Sequence, residues 1–404
     1  MQNVSKMKPV HETYGYSSVK NILENFDPKL SRVFFRWALW HPRYIRAFTR
    51  MGRKYRKFRQ LRLEAKSEGL MVPPVMILSI TKHCNLACVG CYATAVGTVS
   101  KGSDTSIPQL NFDEWHRIIS EAQDLGVQMF IIAGGEPFLF QGLLDICRDF
   151  KNSFFVIVTN GTAIHDEHYK KMKKLGNIAV IVSIEGNEQQ NDIRRGKGVY
   201  KRVISTLTDL NRAGVLSGIS VTITRMNYDY WIQDGIIENF IESGIRIGVF
   251  LEYIPTSPSI NNLSSILTSG KYDWSTTNDH ELILTKNERE RLRNKILQLR
   301  ATKPIYLIHS PGDEEYFGGC VSAGRGFAHI TPGGDLTPCP VTNVATHNLN
   351  ESSLKEALSS PLFEAIRKNE HLLETEGMPC ALFAHPKELD AITKSVGGYY
   401  TVYF

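Results

Sequence analysis

The chain has 404 residues, of which 42% are hydrophobic, and a formal net charge of +6 at pH 7. No apolar run reaches the roughly 18 residues of a membrane-spanning helix, and the first ten residues contain no apolar core of a secretory signal. The seven cysteines are too few and too clustered for a disulfide scaffold, so the composition excludes a small secreted disulfide protein and predicts a reducing cytoplasm.

The basic character belongs to one segment. Residues 29–66 carry 13 Lys and Arg against one acidic residue, Glu64, so the rest of the chain is net acidic. Two helices are predicted here, 29–40 and 43–66, separated by Pro42. In the second helix, large apolar and aromatic residues recur at steps of four and three: Tyr44, Phe48, Met51, Tyr55 and Phe58.

Two interpretations of this basic segment stay open. It is either a helical cap packed on the rest of the protein, or an interfacial helix that gives peripheral contact with anionic lipid. Nucleic acid is not expected as a partner, because no recognition motif accompanies the charge.

From residue 75 the chain alternates short apolar runs with helical patterns. The predicted strands are 75–81, 128–133, 154–159, 178–184, 217–224 and 247–253. The predicted helices between them are 112–126, 140–150, 166–175, 199–213 and 231–243. Such alternation predicts a parallel sheet covered by helices, with the functional site at the carboxyl ends of the strands.

Three cysteines, Cys84, Cys88 and Cys91, follow the first strand with the spacing C-x3-C-x2-C. Three thiolates can bind three irons of a 4Fe–4S cluster and leave the fourth iron open to another ligand. A zinc knuckle and three unrelated thiols are the alternatives, but zinc sites usually close with a distant second pair of ligands. The spacing therefore favours an iron–sulfur cluster.

Polar turns end the next three strands. They are Gly134-Gly135-Glu136-Pro137, Thr159-Asn160-Gly161 and Ser183-Ile184-Glu185-Gly186, with Arg194 and Arg195 following. Paired glycines let a ligand approach the backbone, and a guanidinium suits a carboxylate ligand. Ordinary strand–helix turns and a solvated basic turn are the alternatives.

The last third of the chain contains fewer regular patterns. Residues 256–280 form a polar insertion, predicted to be a loop or lid, followed by a helix at 286–301 and a strand at 305–309. Residues 327–331 and 335–338 read as a hairpin, and 353–368 as a final helix.

A second set of cysteines, Cys320, Cys339 and Cys380, lies in this region. It suffices for one more 4Fe–4S cluster whose fourth ligand is open or is not a cysteine. The candidates for that ligand are substrate, His309, His329 or His385. Structural zinc and free thiols are the alternatives. The nearby segment 313–317, together with Glu252 and Tyr253, is interpreted either as facing the substrate or as polar loop.

The cysteine spacing and the three turns, in this order, resemble the radical SAM family over about residues 72–255. More weakly, residues 305–385 resemble the SPASM or twitch type of auxiliary cluster domain. The resemblance implies a partial (β/α)6 TIM-type barrel, with a closed eight-stranded barrel as the alternative. It divides the chain into a basic helical extension (1–71), a core barrel (72–255), an insertion with a linking helix (256–304) and an auxiliary cluster domain (305–404).

The resemblance also implies the chemistry. In such enzymes the open iron binds S-adenosylmethionine, which one electron cleaves to methionine and a 5′-deoxyadenosyl radical that takes hydrogen from an unactivated carbon. The cofactor contacts implied in this sequence are Gly134, Gly135, Glu136, Asn160, Ser183, Glu185, Tyr92 and Arg195 in preference to Arg194. The family has an aromatic residue before the third cysteine, whereas this chain has Gly90, and Tyr92 is its nearest aromatic neighbour.

The expected partners follow from this chemistry. A reductant such as ferredoxin or flavodoxin supplies the electron, and the substrate is a peptide or a lipid-like molecule. A non-catalytic iron–sulfur protein, for electron transfer or structure, is the alternative function.

Overall fold

The computed structural model describes residues 37–99, 108–254, 282–375 and 379–401. The predicted insertion at 256–280, and the predicted helix at 29–40 except for its last four residues, lie outside the described residues.

Nine strands form one sheet. In chain order they are β1 (Val75–Ser79), β2 (Met129–Ala133), β3 (Phe154–Thr159), β4 (Ile178–Ser183), β5 (Leu216–Ile223), β6 (Ile247–Glu252), β7 (Tyr306–Ser310), β8 (Phe327–Ile330) and β9 (Leu336–Thr337). Their spatial order is β7-β6-β5-β4-β3-β2-β1-β8-β9, and every neighbouring pair is parallel except β8 with β9. In the described part of the chain β7 and β9 are the edges, so the sheet is open, as a partial barrel predicts.

Helices cover this sheet. They are α1 (Pro42–Ser67), α2 (Tyr92–Ala95), α3 (Phe112–Asp124), α4 (Leu143–Asp149), α5 (Asp166–Met172), α6 (Glu188–Arg195), α7 (Val199–Arg212), α8 (Tyr228–Trp231), α9 (Ile236–Glu242), α10 (Lys286–Thr302), α11 (Leu354–Leu358), α12 (Pro361–Lys368), α13 (Ala381–Ala384) and α14 (Pro386–Ser395). Single 3-10 turns lie at Pro137–Leu139, Glu314–Phe317 and Glu370–Leu373. Two further strands, β10 (Val344–Ala345) and β11 (Tyr399–Tyr400), pair antiparallel outside the large sheet.

Two predicted helices are each divided in the structure. The helix predicted at 231–243 is interrupted by Gly235, whose φ of 89° lies in the left-handed region that glycine accepts. The helix predicted at 353–368 ends before Pro361, which cannot donate the backbone hydrogen bond of a helix interior. Instead Ser360 caps the new helix α12 by accepting from the backbone N–H of Phe363.

Helix α3 shows how the core supports the first strand. Its N-terminus carries a capping box between Asn111 and Glu114, and its buried face places Trp115 against the sheet. The Trp115 indole N–H donates to the carbonyl of Ile80 at 3.1 Å. Because Ile80 directly follows β1, this bond supports the backbone from which the cysteine loop starts.

Helix α1 lies across the amino ends of the strands. Tyr44 is fully buried, donates its hydroxyl to the carbonyl of Ile178 at 3.0 Å and accepts from the N–H of Leu216 at 2.9 Å. Phe48 packs on Phe154, with ring centroids 5.9 Å apart. The aromatic stripe therefore faces the barrel, which confirms the interpretation of this helix as a cap.

Several arginines of α1 also have a structural role. Arg43 donates to the carbonyls of Leu175, Ala213 and Gly214, and Arg62 donates to the carbonyl of Gly126. These carbonyls lie just after helices α5, α7 and α3, where a cation also meets the negative end of the helix dipole. No helix in the described ranges is long and apolar enough to cross a membrane.

The C-terminal region is continuous with the sheet. Strand β7 pairs with β6, and β8 pairs with the other side of β1, so two strands from the predicted domain 305–404 extend the barrel sheet at opposite ends. The predicted hairpin is confirmed, since β8 and β9 pair through His329 with Thr337 and Ile330 with Leu336. Because β8 pairs with β1, the segment that contains the second set of cysteines lies beside the strand that leads into the first set.

Candidate functional site

The first three cysteines lie in the loop between β1 and α2, and all three are partly exposed. Burial, together with the nearby Glu136, Cys88 and Cys91, raises the pKa of Cys84 to about 11. The Cys84 thiol therefore keeps its proton until iron binds in the place of that proton, so cluster binding must release it.

The turn after β2 packs directly on this loop. Gly135 donates its N–H to the carbonyl of Thr81, and Glu136 donates its N–H to the carbonyl of His83, both at 2.7 Å. A Cβ at Gly135 would lie 2.0 Å from the His83 carbonyl oxygen, and one at Gly134 would lie 2.7 Å from that of Thr81. The two glycines are therefore required for backbone packing against the cysteine loop, a reason that the sequence did not reveal.

Glu136 ties this turn to the next strand end. Its fully buried carboxylate accepts from the N–H of Phe138 at 3.1 Å, the hydroxyl of Thr159 at 2.6 Å and the N–H of Asn160 at 2.7 Å. Asn160 donates to Asn85 at 2.9 Å, and its amide nitrogen lies 3.9 Å from Cys84 Sγ. The ends of β2 and β3 thus hold the first cysteine jointly.

A buried ion-pair cluster approaches the loop from the other side. One oxygen of Glu185, Oε1, accepts from Arg194 Nη1 at 2.6 Å and from Arg195 Nε at 2.7 Å. Burial acts to raise the pKa of Glu185, but the two arginines outweigh it and hold the pKa below its ordinary value. The other oxygen, Oε2, is buried and has no hydrogen-bond partner among the described residues.

Both arginines also reach the cysteine loop. Arg194 donates to the carbonyl of Val89 at 3.2 Å, and its own carbonyl accepts from the N–H of Val89 at 2.9 Å. Burial raises the pKa of Cys88, while the charge of Arg195 lowers it. Arg194 therefore anchors the loop backbone, and Arg195 is electrostatically coupled to the second thiol.

Tyr253, which directly follows β6, lies against Gly90 in this loop. Gly90 has a φ of 66°, and a Cβ there would lie 3.1 Å from the hydroxyl oxygen and 3.2 Å from Cε2 of Tyr253. Tyr253 is only 5% exposed. An aromatic ring thus contacts the residue before the third cysteine, although it comes from a different strand.

We expect Gly90→Ala to destabilise the protein by more than the roughly 1–2 kcal/mol that a left-handed backbone costs an L-residue. The added methyl group must also displace Tyr253. The free energy of unfolding, measured in denaturant, tests this expectation. Gly198→Ala is the matched control, since Gly198 has a φ of 82° and open space around the missing Cβ. Equal losses in the two variants would contradict the contact between Gly90 and Tyr253.

Ser183 and Tyr92, two further predicted cofactor contacts, lie in different elements of the fold. Ser183 is the last residue of β4 and is partly buried. Tyr92 begins α2, and burial raises its pKa, with Cys91 and Cys339 both raising it further. Tyr92 therefore lies near a cysteine of each set.

The structure brings the second set of cysteines together. Cys320 and Cys339 are buried on either side of the hairpin, and Cys380 directly precedes α13. Burial raises the pKa of Cys320, and Cys380 and Cys339 are close enough to raise it further. The Cys320 N–H donates to the carbonyl of Leu373 at 2.6 Å, which joins this segment to the region before Cys380.

The three histidines proposed as fourth ligands have other contacts. His309 Nε2 lies 3.1 Å from Glu252 Oε1. The other carboxylate oxygen of Glu252 accepts a hydrogen bond from Arg289 of α10. His329 lies between the hydroxyls of Ser79 and Thr337, at 2.8 and 2.7 Å. Finally, His385 pairs with Glu388 at 3.5 Å. Both ring nitrogens of His329 are therefore engaged, which argues against it as a ligand, whereas Nδ1 of His309 is buried without a partner among the described residues.

Among the described residues, no group of three or more His, Cys, Asp or Glu side chains could hold a single metal ion. A 4Fe–4S cluster does not require such a group, because each thiolate binds a different iron. Both sets of three cysteines fit a cluster by their donor chemistry.

Comparison with known proteins matches residues 78–234 to the radical SAM superfamily and residues 320–381 to SPASM, an iron–sulfur cluster-binding domain. The chain is 32% identical to an Fe-coproporphyrin III synthase of Methanosarcina barkeri over 158 residues, which are 38% of each chain. It is 23% identical to a PqqA peptide cyclase of Rhizobium meliloti, over 76% of this chain and 79% of that one. The structure of SuiB from Streptococcus suis bound to precursor peptide SuiA is similar, with a TM-score of 0.56, 20% identity, and coverage of 76% of this chain and 70% of SuiB.

The extent of these matches differs. The chain spans less than half the length of the Fe-coproporphyrin III synthase that it matches. The two domain matches together contain all six cysteines predicted to bind clusters. Domains of these two types imply 4Fe–4S clusters and S-adenosylmethionine, in agreement with the prediction from cysteine spacing.

Proposed function

We propose that this chain, a radical SAM enzyme with a SPASM domain, removes hydrogen from an unactivated carbon of a peptide. The observation that carries the proposal is the pairing of β8 with β1, which joins the segments of the two cysteine sets in one sheet, with Tyr92 within electrostatic reach of both Cys91 and Cys339. Cys320, Cys339 and Cys380 would hold a second cluster, which would supply an acceptor for the electron left after hydrogen removal. A relative named as a peptide cyclase matches over 76% of this chain, and one named as an AdoMet-dependent heme synthase matches over 74%, so the two substrate classes need a direct test.

Three groups of residues would hold the cofactors. Cys84, Cys88 and Cys91 would bind the catalytic cluster, which with bound S-adenosylmethionine supplies the 5′-deoxyadenosyl radical. The buried Oε2 of Glu185, without a partner among the described residues, can accept a hydrogen bond from a cofactor hydroxyl or ammonium group. Arg195 keeps guanidinium N–H groups beyond those that bind Glu185, and these suit the cofactor carboxylate.

Glu136 has a different part in this proposal. Its carboxylate already accepts three hydrogen bonds from the chain, so it acts by fixing the turns after β2 and β3 around Cys84. Gly134 and Gly135 act with it, since they allow the turn to approach the loop. The first electron comes from a small reductant such as a ferredoxin or flavodoxin.

A lipid substrate loses its main support in the structure. A lipid was suggested by the two basic, aromatic-bearing helices predicted in residues 29–66, but in α1 the aromatic residues Tyr44 and Phe58 are buried. Peripheral contact with an anionic surface would depend on the exposed Trp40 and on the solvent-facing basic residues of α1: Arg46, Arg53, Lys54, Arg56 and Lys57.

We therefore expect weak binding to anionic vesicles at low salt and its complete loss at 0.5 M salt, since charge supplies nearly all of the attraction. Sedimentation with vesicles of phosphatidylserine and phosphatidylcholine measures this. Binding that persists at high salt would show that buried aromatic contact, which the packing of α1 argues against, contributes after all.

The substrate proposal is tested by giving the anaerobically reconstituted enzyme, with S-adenosylmethionine and a reductant, two alternative substrates. One is the peptide product of a short reading frame, to be sought beside the gene for this enzyme, and the other is Fe-coproporphyrin III. We expect 5′-deoxyadenosine to form in step with a mass change of the peptide. Turnover of the porphyrin alone would overturn the proposal. Glu188→Gln, a change at an exposed carboxylate that pairs with Lys201, serves as a control with both cysteine sets intact.

A further inference from the structure

We propose that Glu314 is the fourth protein ligand of the auxiliary cluster, beside Cys320, Cys339 and Cys380. This inference depends on the second 4Fe–4S cluster of the proposed function. It concerns the ligands of that cluster and does not depend on which substrate the enzyme uses.

The backbone places Glu314 at the cysteines. It begins the 3-10 turn Glu314–Phe317, and its carbonyl accepts from the N–H of Gly319 at 3.1 Å, so the chain folds back before Cys320. Arg325 holds the same loop by donating to the carbonyls of Cys320, at 2.5 Å, and Phe317, at 3.2 Å. The position of Glu314 relative to Cys320 is therefore built into the fold.

The side chain of Glu314 is directed at the thiols. One carboxylate oxygen, Oε1, accepts from the hydroxyl of Ser310 at 2.8 Å, and the carboxylate also accepts a hydrogen bond from Cys320. After the effect of burial itself, the charge of Glu314 raises the pKa of Cys320, and it also contributes at Cys339 and Cys380. One carboxylate is thus within electrostatic reach of all three cysteines.

Burial of three cysteines and a carboxylate close together is unfavourable without a cation between them. Three thiols that must become thiolates, together with a carboxylate, would concentrate negative charge in a buried space. A cluster core with positively charged irons offsets that charge. Three thiolates bind three irons, and the carboxylate is then available to the fourth.

Asp313, Ser322 and Thr342, which lie near this site, are already engaged. Asp313 pairs with Arg300 and accepts from the N–H of His309. The hydroxyls of Ser322 and Thr342 accept from the thiols of Cys320 and Cys339, at 3.3 and 3.5 Å, so they are already paired with the cysteines. Of the described acidic residues in this segment, Glu314 is the one directed at the cysteines.

Whether the auxiliary cluster binds substrate or only accepts an electron depends on whether all four of its irons have protein ligands. With Glu314 on the fourth iron, substrate does not bind to the cluster, which then serves to accept an electron. Since a carboxylate is a harder ligand than a thiolate, it also makes that iron distinct from the other three.

The test is made in a Cys84→Ala, Cys88→Ala, Cys91→Ala background, so that only the auxiliary cluster remains. Mössbauer spectra of this protein should show one iron that differs from three equivalent ones. Glu314→Gln should lower the iron content by one quarter and give the electron paramagnetic resonance signal of a three-iron cluster. Glu314→Cys should restore the fourth iron and make the reduction potential more negative, because a fourth thiolate sulfur replaces the carboxylate oxygen.

The matched control is Glu388→Gln, an exposed carboxylate that pairs with His371. It should leave both spectra unchanged. Four iron atoms with unchanged spectra in Glu314→Gln would overturn the proposal. Absence of any iron in the background protein would overturn it too, by removing the second cluster. Neither readout uses peptide turnover, so failure of the substrate proposal is separately recognisable.

Discussion

Replacement of Cys84, Cys88 and Cys91 together by alanine should abolish cleavage of S-adenosylmethionine. Each thiolate would bind a separate iron, and the iron without a cysteine would bind the cofactor, so no part of the reaction can proceed without this loop. The variant should keep about half of the iron, held by the second set of cysteines. Anaerobic iron analysis and the yield of 5′-deoxyadenosine measure the two effects.

Cys147 provides the matched control for this experiment. It is fully buried in α4, where burial raises its pKa and it has no neighbour among the cluster cysteines. Cys147→Ala should retain all iron and all cleavage, at a stability cost of about 1 kcal/mol for the small cavity. Undiminished cleavage in the triple variant would show that the catalytic cluster is elsewhere.

The second large effect is expected at Glu185. Replacement by alanine leaves Arg194 and Arg195 largely buried without their partner, and removal of one member of a buried ion pair costs roughly 3–5 kcal/mol. Arg194 also anchors Val89, so the variant should bind the catalytic cluster less tightly. The free energy of unfolding in denaturant and the iron content after reconstitution measure both losses.

Glu188, the first residue of α6, provides the control, because its ion pair lies on the surface. It is exposed and pairs with Lys201 at 3.3 Å. Glu188→Ala should change the free energy of unfolding by less than about 1 kcal/mol, as is usual for a surface ion pair. If the two variants lost equal stability, the buried cluster around Glu185 would not have the importance assigned to it.

The same carboxylate predicts a pH dependence. Because its pKa in the folded protein is below the ordinary value, the stabilisation by Glu185 is present above the pKa of the unfolded chain and is lost as pH falls through the folded pKa. The difference in unfolding free energy between the wild type and Glu185→Gln should therefore shrink below about pH 4. A difference that stays constant from pH 7 to pH 3 would contradict this.

The local patterns of the sequence predicted much of the sheet. All six core strands lie within a few residues of their predicted bounds, because each is a short apolar run followed by a turn signal. The polar turns that follow them do meet around the cysteine loop. Parallel strands bring their carboxyl ends to one edge of the sheet. The strand assignments alone were therefore enough to predict that the turns lie together there.

What the sequence did not predict depends on contacts between distant residues. No periodicity shows that Tyr253 would fill the space beside Gly90, or that β8 would pair with β1. The basic residues of α1 were equally ambiguous, since an arginine that caps a helix and one that faces a lipid look alike in a sequence. By contrast, the division at Pro361 was a local signal, and the predicted helix 353–368 overlooked it.

The pairing of β8 with β1 has a consequence for how the protein is made. Ser79 and its partner His329 are 250 residues apart, so one edge of β1 has no partner until most of the chain has been synthesised. At ordinary rates of translation this interval is roughly 10 to 50 s. During it, the strand that leads into the cysteine loop offers an unpaired edge to other chains. Accumulation of the enzyme should therefore depend on chaperones and on slow expression, and both clusters should be inserted only after the C-terminal region has folded onto β1.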